Sequence, residues 1–304
     1  MSAGATVGGR AVVLLLATSV AWGLFWPPTK FIFSEVPIFS FRALCGVAGG
    51  AGMLAIGWAA GQSLRVGRGE WLPVALLGLL NTAGWLYFSA LAIVALGSGR
   101  AVLIAYTMPL WTFLLSLAFL GERPSGRRWL GLVLGLAGVL VLVAEDTQRL
   151  LANPLGAAAS LLAAWSWAAG AVWLKARRWQ AAEMALVGWQ QLLGGLPLAA
   201  IALASELPLL RATSFAVGAA ILFNLAAGVV FGSWAWFRVV RMLPVTVASL
   251  GVLLVPVIGL LSSAVIVAEP LGPYALSALA LIVLGVGAVL PLRWPPAWRK
   301  LARP

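Results

Sequence analysis

Histidine is absent from the 304-residue chain, and cysteine occurs once, as Cys45. A single cysteine forms no internal disulfide and builds no thiolate-rich metal or cluster site. Without histidine the commonest acid–base group and metal ligand is missing. Charge is scarce too: 9% of residues are charged, and only 8 of them are acidic, where a soluble domain carries about 25%. No nucleophile, base or metal cluster stands at a spacing that chemistry needs. The expectation is a protein that is not an enzyme and holds no cofactor and no metal.

What fills the chain is apolar. Hydrophobic residues make up 62%, more than a water-facing fold can hide. The predicted class is an all-α integral membrane protein. A spanning helix needs about 20 mostly apolar residues, and ten stretches qualify, near 11–33, 36–59, 71–95, 99–120, 127–144, 154–174, 183–204, 214–237, 244–267 and 273–292. The first is read as a spanning helix rather than a cleaved signal, because no small-residue cleavage site followed by a polar start interrupts it. The loops between stretches are too short for a soluble domain.

The formal net charge is +12. Its basic residues sit in short clusters between apolar runs, which suits an anionic membrane surface and not nucleic acid. With ten spans, fifteen of the twenty basic residues fall on the side of the two termini, among them Arg65, Arg127, Arg128, Lys175, Arg178 and Arg241. That side is expected to be cytoplasmic.

The chain also repeats itself. Pro109 and Glu122 return as Pro256 and Glu269, and Gly138 returns as Gly285, all at an offset of 147; Trp22 and Lys30 return as Trp167 and Lys175 at 145, and Gly46 as Gly194 at 148. Ten spans therefore divide into two five-helix repeats, expected over 1–147 and 148–304 of one compact membrane domain. Five is odd, so the second repeat enters the membrane in the opposite sense. Inverted repeats recur in secondary transporters, with the substrate near the midplane between the repeats.

Ala21-Trp22-Gly23 with Lys30, Phe41-Arg42, Pro109 followed by Gly121-Glu122-Arg123-Pro124, and their echoes Pro256, Ala268-Glu269-Pro270 and Gly285 resemble the drug/metabolite transporter superfamily, in particular its EamA-type members. The resemblance spans nearly the whole chain. It implies export of small metabolites, often amino acids, from the cytoplasm across a bacterial inner membrane by alternating access. The tryptophan-rich spans look most like those of exporters of aromatic and other amino acids. One departure between the halves is that Arg42 falls opposite Gln190.

Polar and aromatic residues inside spans mark the candidate substrate site. Asn81 and Asn224 lie in the third and eighth spans, where an amide can meet either end of a zwitterion or simply join two helices. Trp22, Trp26, Trp85, Trp111, Trp165 and Trp167, with Tyr87 and Tyr106, lie deeper than an interfacial belt. Trp22, Trp26 and Lys30 share one helix face. Arg42 is the candidate partner of a substrate carboxylate, with Glu35 a possible internal partner, while Lys30 reads as snorkelling. The predicted site is thus Trp22, Trp26, Arg42, Asn81, Trp85, Tyr87, Tyr106, Trp167 and Asn224. Pro109 and Pro256 are expected to kink their helices at matched places and to act as gates. Gly46, Gly49, Gly50, Gly131, Gly135 and Gly138 read as close helix packing, with a face suited to a homo-oligomer contact. Expected partners are an amino-acid-like small molecule and membrane lipid.

Coupling is read from an absence. Glu122 and Glu269 fall at helix ends and no carboxylate is placed at mid-membrane, so export without an intramembrane proton carrier is the preferred reading. The alternative is a proton-coupled multidrug exporter of lipophilic cations, whose cargo would also suit an aromatic cavity.

Overall fold

A computed structural model describes residues 9–96, 98–145, 152–266 and 272–290. Helices joined by short loops make up the described residues, with no strand among them. Hydrocarbon offers the backbone no hydrogen-bonding partner, so each apolar run satisfies its own amides as helix. The helices are α1 (Gly9–Gly23), α2 (Trp26–Glu35), α3 (Ile38–Ala59), α4 (Arg68–Leu96), α5 (Ser98–Ala105), α6 (Met108–Leu120), α7 (Gly126–Glu145), α8 (Pro154–Ala176), α9 (Glu183–Ser205), α10 (Phe215–Met242), α11 (Val245–Gly251), α12 (Leu254–Ile266) and α13 (Pro273–Val289). Among the described residues, eight stretches are long and apolar enough to cross a membrane, and α1 and α13 are shorter apolar helices. Large apolar side chains such as Leu155, Phe119 and Val265 face outward, as lipid-facing residues do.

Three of the expected spans are broken. The first, expected to run unbroken over 11–33, parts at Leu24 and Phe25 into α1 and α2. Pro27 and Pro28 follow in the first turn of α2, a position that suits proline because the N–H it lacks has no helical partner there. The fourth parts at Tyr106 and Thr107, between α5 and α6, and the ninth at Val252 and Leu253, between α11 and α12. Three-residue hydrogen bonds bridge both gaps, from Thr107 N to Ile104 O at 3.0 Å and from Val255 N to Val252 O at 2.9 Å. Pro109 and Pro256 therefore do not kink the middle of a helix. Each stands in the first turn of a new one, just after the break.

Two further irregularities match across the halves. A π-turn occupies Leu79–Gly84 in α4 and another Asn224–Phe231 in α10. Each bulge shifts the hydrogen-bond register and frees backbone carbonyls from the regular ladder. The opposite half supplies donors to both: Trp22 Nε1 in α1 donates to Gly228 O at 2.9 Å, and Ser166 Oγ in α8 donates to Leu80 O at 2.7 Å.

Glycine sets the closest helix pairs. A Cβ on Gly195 of α9 would lie 2.7 Å from the carbonyl carbon of Gly46 in α3, and one on Gly285 of α13 would lie 2.9 Å from Gly131 O in α7. Backbones in such contact exclude any side chain between them.

Carboxylates tie the halves at both ends. On the face carrying the basic clusters, Glu122 accepts from Val245 N at 3.0 Å and Thr246 Oγ1 at 2.7 Å, with Arg128 3.7 Å away. Gly121, at φ 61°, ends α6 and turns Glu122 toward α11. Glu70 on that face accepts from Gln180 N at 2.8 Å and Ala181 N at 3.0 Å. On the opposite face Glu35 accepts from Ser214 N at 2.7 Å and its Oγ at 2.8 Å, and Glu206 from Ser40 N at 2.6 Å and Phe39 N at 3.1 Å. Glu35 is thus engaged with Ser214 and is not the partner of Arg42.

Candidate functional site

Two of the breaks, both bulges and four inward tryptophans converge on a cavity of about 120 Å³. A buried water needs about 10–15 Å³, so this space holds several waters or a small organic molecule. Its aromatic wall is Trp22 of α1, Phe25 at the α1–α2 break, Trp85 of α4, Trp167 of α8, and Trp236 and Phe237 of α10. Three indoles form a cluster. Trp167 and Trp236 are 4.6 Å apart between centroids, Trp22 and Trp236 5.8 Å, and Trp22 and Trp167 6.4 Å in an edge-to-face pair. Tyr106 and Met108 reach the cavity from the two sides of the α5–α6 break.

The polar lining is short. Asn81 and Thr82 come from the first π-turn, Gln191 from α9, Ser233 from α10, and Arg42 and Cys45 from α3. The Thr82 hydroxyl lies 3.0 Å from Gln190 Oε1 and 2.9 Å from Gln191 Oε1, and its one proton serves one of them at a time. Gln191 Nε2 donates onward to Ser233 Oγ at 2.8 Å. Thr82, Gln191 and Ser233 thus form a chain of bonds, of which Asn81 is not a member.

Arg42 stands apart from that chain. It is only 2% exposed, and its Nε and Nη2 have no hydrogen-bond partner among the described residues. Its guanidinium carbon lies 5.9 Å from the centroid of the Phe33 ring. No Asp or Glu is among the residues that line the cavity. A buried cation facing an aromatic, carboxylate-free space is costly to leave unpaired, and an incoming anion relieves that cost. A carboxylate matches the guanidinium fork in shape as well as charge.

Of the residues singled out from the sequence, Trp22, Arg42, Asn81, Trp85, Tyr106 and Trp167 come together here. Tyr87 does not line the cavity; it packs on Phe39 and Phe88 at 5.9 Å and 5.4 Å. Asn224 is fully buried away from it and donates to Thr29 Oγ1 at 3.2 Å, joining α10 to α2. Trp165 turns outward. Pro109 and Pro256 flank the helix breaks without lining the space. The side chains of Trp26 and Lys30, and Glu269 altogether, lie outside the described residues. The repeat partner of Lys30 caps a helix: Lys175 Nζ donates to Val240 O at 2.7 Å and Leu243 O at 2.8 Å at the end of α10.

Sequence reasoning missed Phe25, Cys45, Thr82, Gln191, Ser233 and Trp236. Two signals were present. Gln190-Gln191 is a polar pair inside a span, and such residues usually face a partner or a cavity. Ser233, Trp236 and Phe237 share one helical face by their i, i+3, i+4 spacing.

Two stretches of the chain, residues 9–144 and 154–290, each match the EamA-like transporter family. The uncharacterized transporter YoaV of Bacillus subtilis is 24% identical over 255 residues, 83% of this chain and 86% of that one. The probable amino-acid metabolite efflux pump of Escherichia coli is 27% identical over 215 residues, 66% of this chain and 70% of its own. The aromatic amino acid exporter YddG of Ancylobacter novellus is 39% identical over a shorter stretch of 110 residues, 36% of this chain and 37% of its own. A solved crystal structure superposes with a TM-score of 0.79 over 97% of this chain and 99% of its own, at 23% identity, a likeness of fold.

Proposed function

The chain belongs to the EamA-like transporter family, and on that premise we propose that it exports amino acids, aromatic and other neutral ones, or similar small carboxylate-bearing metabolites from the cytoplasm. The observation that carries this reading is Arg42, a buried guanidinium with two unpartnered nitrogens on an aromatic cavity. The guanidinium receives the cargo carboxylate, and the indole cluster receives its apolar side chain. Two relatives whose names mention amino acids support the same substrate class.

In this proposal residues 1–147 and 148–304 form inverted repeats around the cavity, and the basic face is cytoplasmic in a bacterial inner membrane. Access alternates as one set of carboxylate ties opens and the other closes, with the breaks at Tyr106–Thr107 and Val252–Leu253 as flexing points beside Pro109 and Pro256. The lipophilic-cation alternative fits less well. At about 4 Å and an effective dielectric near 20, a cationic cargo meets about 4 kcal/mol of repulsion from Arg42, and no carboxylate of the cavity lining offsets it.

Counterflow in proteoliposomes tests this. Saturable exchange of L-phenylalanine, L-tryptophan and L-leucine without a proton gradient is expected, with Arg42→Gln losing at least tenfold in apparent affinity. Movement of tetraphenylphosphonium that requires a proton gradient, with no amino acid exchange, overturns the proposal.

A further inference from the structure

We propose that the cavity recognises the carboxylate of its cargo and not the amine, so that amine-free monocarboxylates of amino-acid size, 2-oxo acids and aryl- or alkyl-carboxylates, are carried and bind more tightly than the matching amino acids. The inference rests on the reading of the central cavity as the cargo site.

The argument is a census of free hydrogen-bonding groups. Among the described residues, the buried side-chain atoms without a partner that belong to the cavity lining are Arg42 Nε, Arg42 Nη2 and Trp236 Nε1. All three are donors. The unpartnered acceptor Asn224 Oδ1 belongs to a residue outside the lining. Of the acceptors that reach the cavity, Gly228 O is held by Trp22 and Ser233 Oγ by Gln191, and Gln191 Oε1 shares the one Thr82 proton with Gln190; the Asn81 amide, neutral, offers a donor and an acceptor alike. A carboxylate brings acceptors alone and matches this lining. An ammonium brings three donors and no acceptor, and against the neutral amide oxygens of Asn81 and Gln191 it meets three unpartnered donors, two of them on a cation.

Charge points the same way. The cavity lining carries one positive charge, that of Arg42, and no carboxylate. A monocarboxylate anion neutralises it. A zwitterion leaves the positive charge in place and sets its own ammonium a few bonds from the guanidinium, in a medium that screens poorly. The indole faces can take an ammonium, but those of Trp22, Trp167 and Trp236 are already packed on one another within 6.4 Å. An anionic cargo also carries its own driving force, because an inside-negative membrane potential pushes a net negative charge outward. Such export needs no proton carrier in the membrane.

The test uses the full-length protein in liposomes with three probes of one skeleton: phenylpyruvate, L-phenylalanine and phenethylamine. Phenylpyruvate is expected to compete for the site at concentrations at least tenfold below L-phenylalanine, and phenethylamine not at all. An inside-negative potassium diffusion potential is expected to speed phenylpyruvate efflux and leave phenylalanine exchange unchanged. Trp236→Phe removes one donor that bonds nothing in the folded protein, together with part of a fully buried ring; it is expected to lower the melting temperature through the lost packing, and the folded variant is expected to bind phenylpyruvate severalfold more weakly. Competition by phenethylamine comparable to L-phenylalanine, or phenylpyruvate binding more weakly than L-phenylalanine, overturns the inference while leaving amino acid export standing. If phenylpyruvate moves and phenylalanine does not, the inference stands and the amino acid reading falls. If none of the three moves, the cavity is not the cargo site and both fall.

Discussion

The tie at Glu122 offers the sharpest test of how the cavity opens. Its carboxylate caps α11, whose preceding residue Pro244 supplies no side-chain cap. Truncation to alanine removes the bonds to Val245 N at 3.0 Å and Thr246 Oγ1 at 2.7 Å, and the 3.7 Å ion pair with Arg128. Loss of a helix N-cap costs about 1 kcal/mol, and loss of an anion at a helix N-terminus about 0.3–1 kcal/mol. The ion pair at this partly exposed edge adds a few tenths. The tie therefore contributes about 2 kcal/mol to closure of the basic face, and its removal shifts the open–closed balance roughly thirtyfold.

The protein carries its own reporter. Cys45 is its single cysteine, lines the cavity and is 2% exposed. A membrane-impermeant maleimide applied to inverted membrane vesicles should label Cys45 of Glu122→Ala many times faster than the parent, up to about the thirtyfold ceiling set by the lost tie. The same reagent applied to spheroplasts should show no gain. Glu35→Ala, which frees Ser214 on the other face, should do the reverse with a smaller rise, because Glu35 is exposed. Equal acceleration from both sides would mean general loosening of the fold. No change from either side would mean the tie is no gate. Both outcomes refute the reasoning.

One contrast between variants follows from the packing, and one single substitution from the hydrogen bonds. Gly195→Ala places a Cβ 2.7 Å from the backbone of Gly46 and Val47; overpacking of this kind costs about 1–3 kcal/mol, so the melting temperature in detergent should fall. Gly218→Ala, with nothing within 4 Å, should leave it unchanged or raised. Trp22→Phe removes the 2.9 Å bond to Gly228 O and should lower stability by about 1 kcal/mol, read as a drop in melting temperature.

The sequence reading was strongest where one residue dictates one backbone event. The matched prolines marked the two helix breaks to within three residues, and Asn81 and Asn224 fell inside the two π-turns. Pro27-Pro28 carries the same message for the first span, but the apolar run that continues through it hides the break. Side-chain direction was harder to read. In a soluble helix the polar face points to water, but lipid is as apolar as the protein interior, so a run such as α10 shows no amphipathic contrast. That is why Asn224, a buried tie to Thr29, looked like a substrate ligand, and why Trp236 did not stand out. Arg42 was legible because a cation inside a span has few other reasons to be there.

The irregular backbone and the scarce charges make one argument together. A π-turn in hydrocarbon leaves carbonyls that lipid cannot satisfy. Here each bulge is met from the other half, Gly228 O by Trp22 and Leu80 O by Ser166, so the two halves must meet for either bulge to be stable. The described carboxylates with placed side chains are all spent at the two ends: Glu35, Glu70, Glu122 and Glu206 across the halves, and Glu183 on Arg238 and Arg241. The middle is left with one cation and a donor-rich aromatic wall. In the proposed alternation, opening an end breaks carboxylate ties while the charge of the cavity stays fixed. A carrier built this way responds to the charge of its cargo, and the Arg42→Gln variant should lose the dependence of phenylpyruvate efflux on membrane potential only through loss of binding: at saturating cargo the potential dependence should persist, and its disappearance there would mean that Arg42 itself moves through the field.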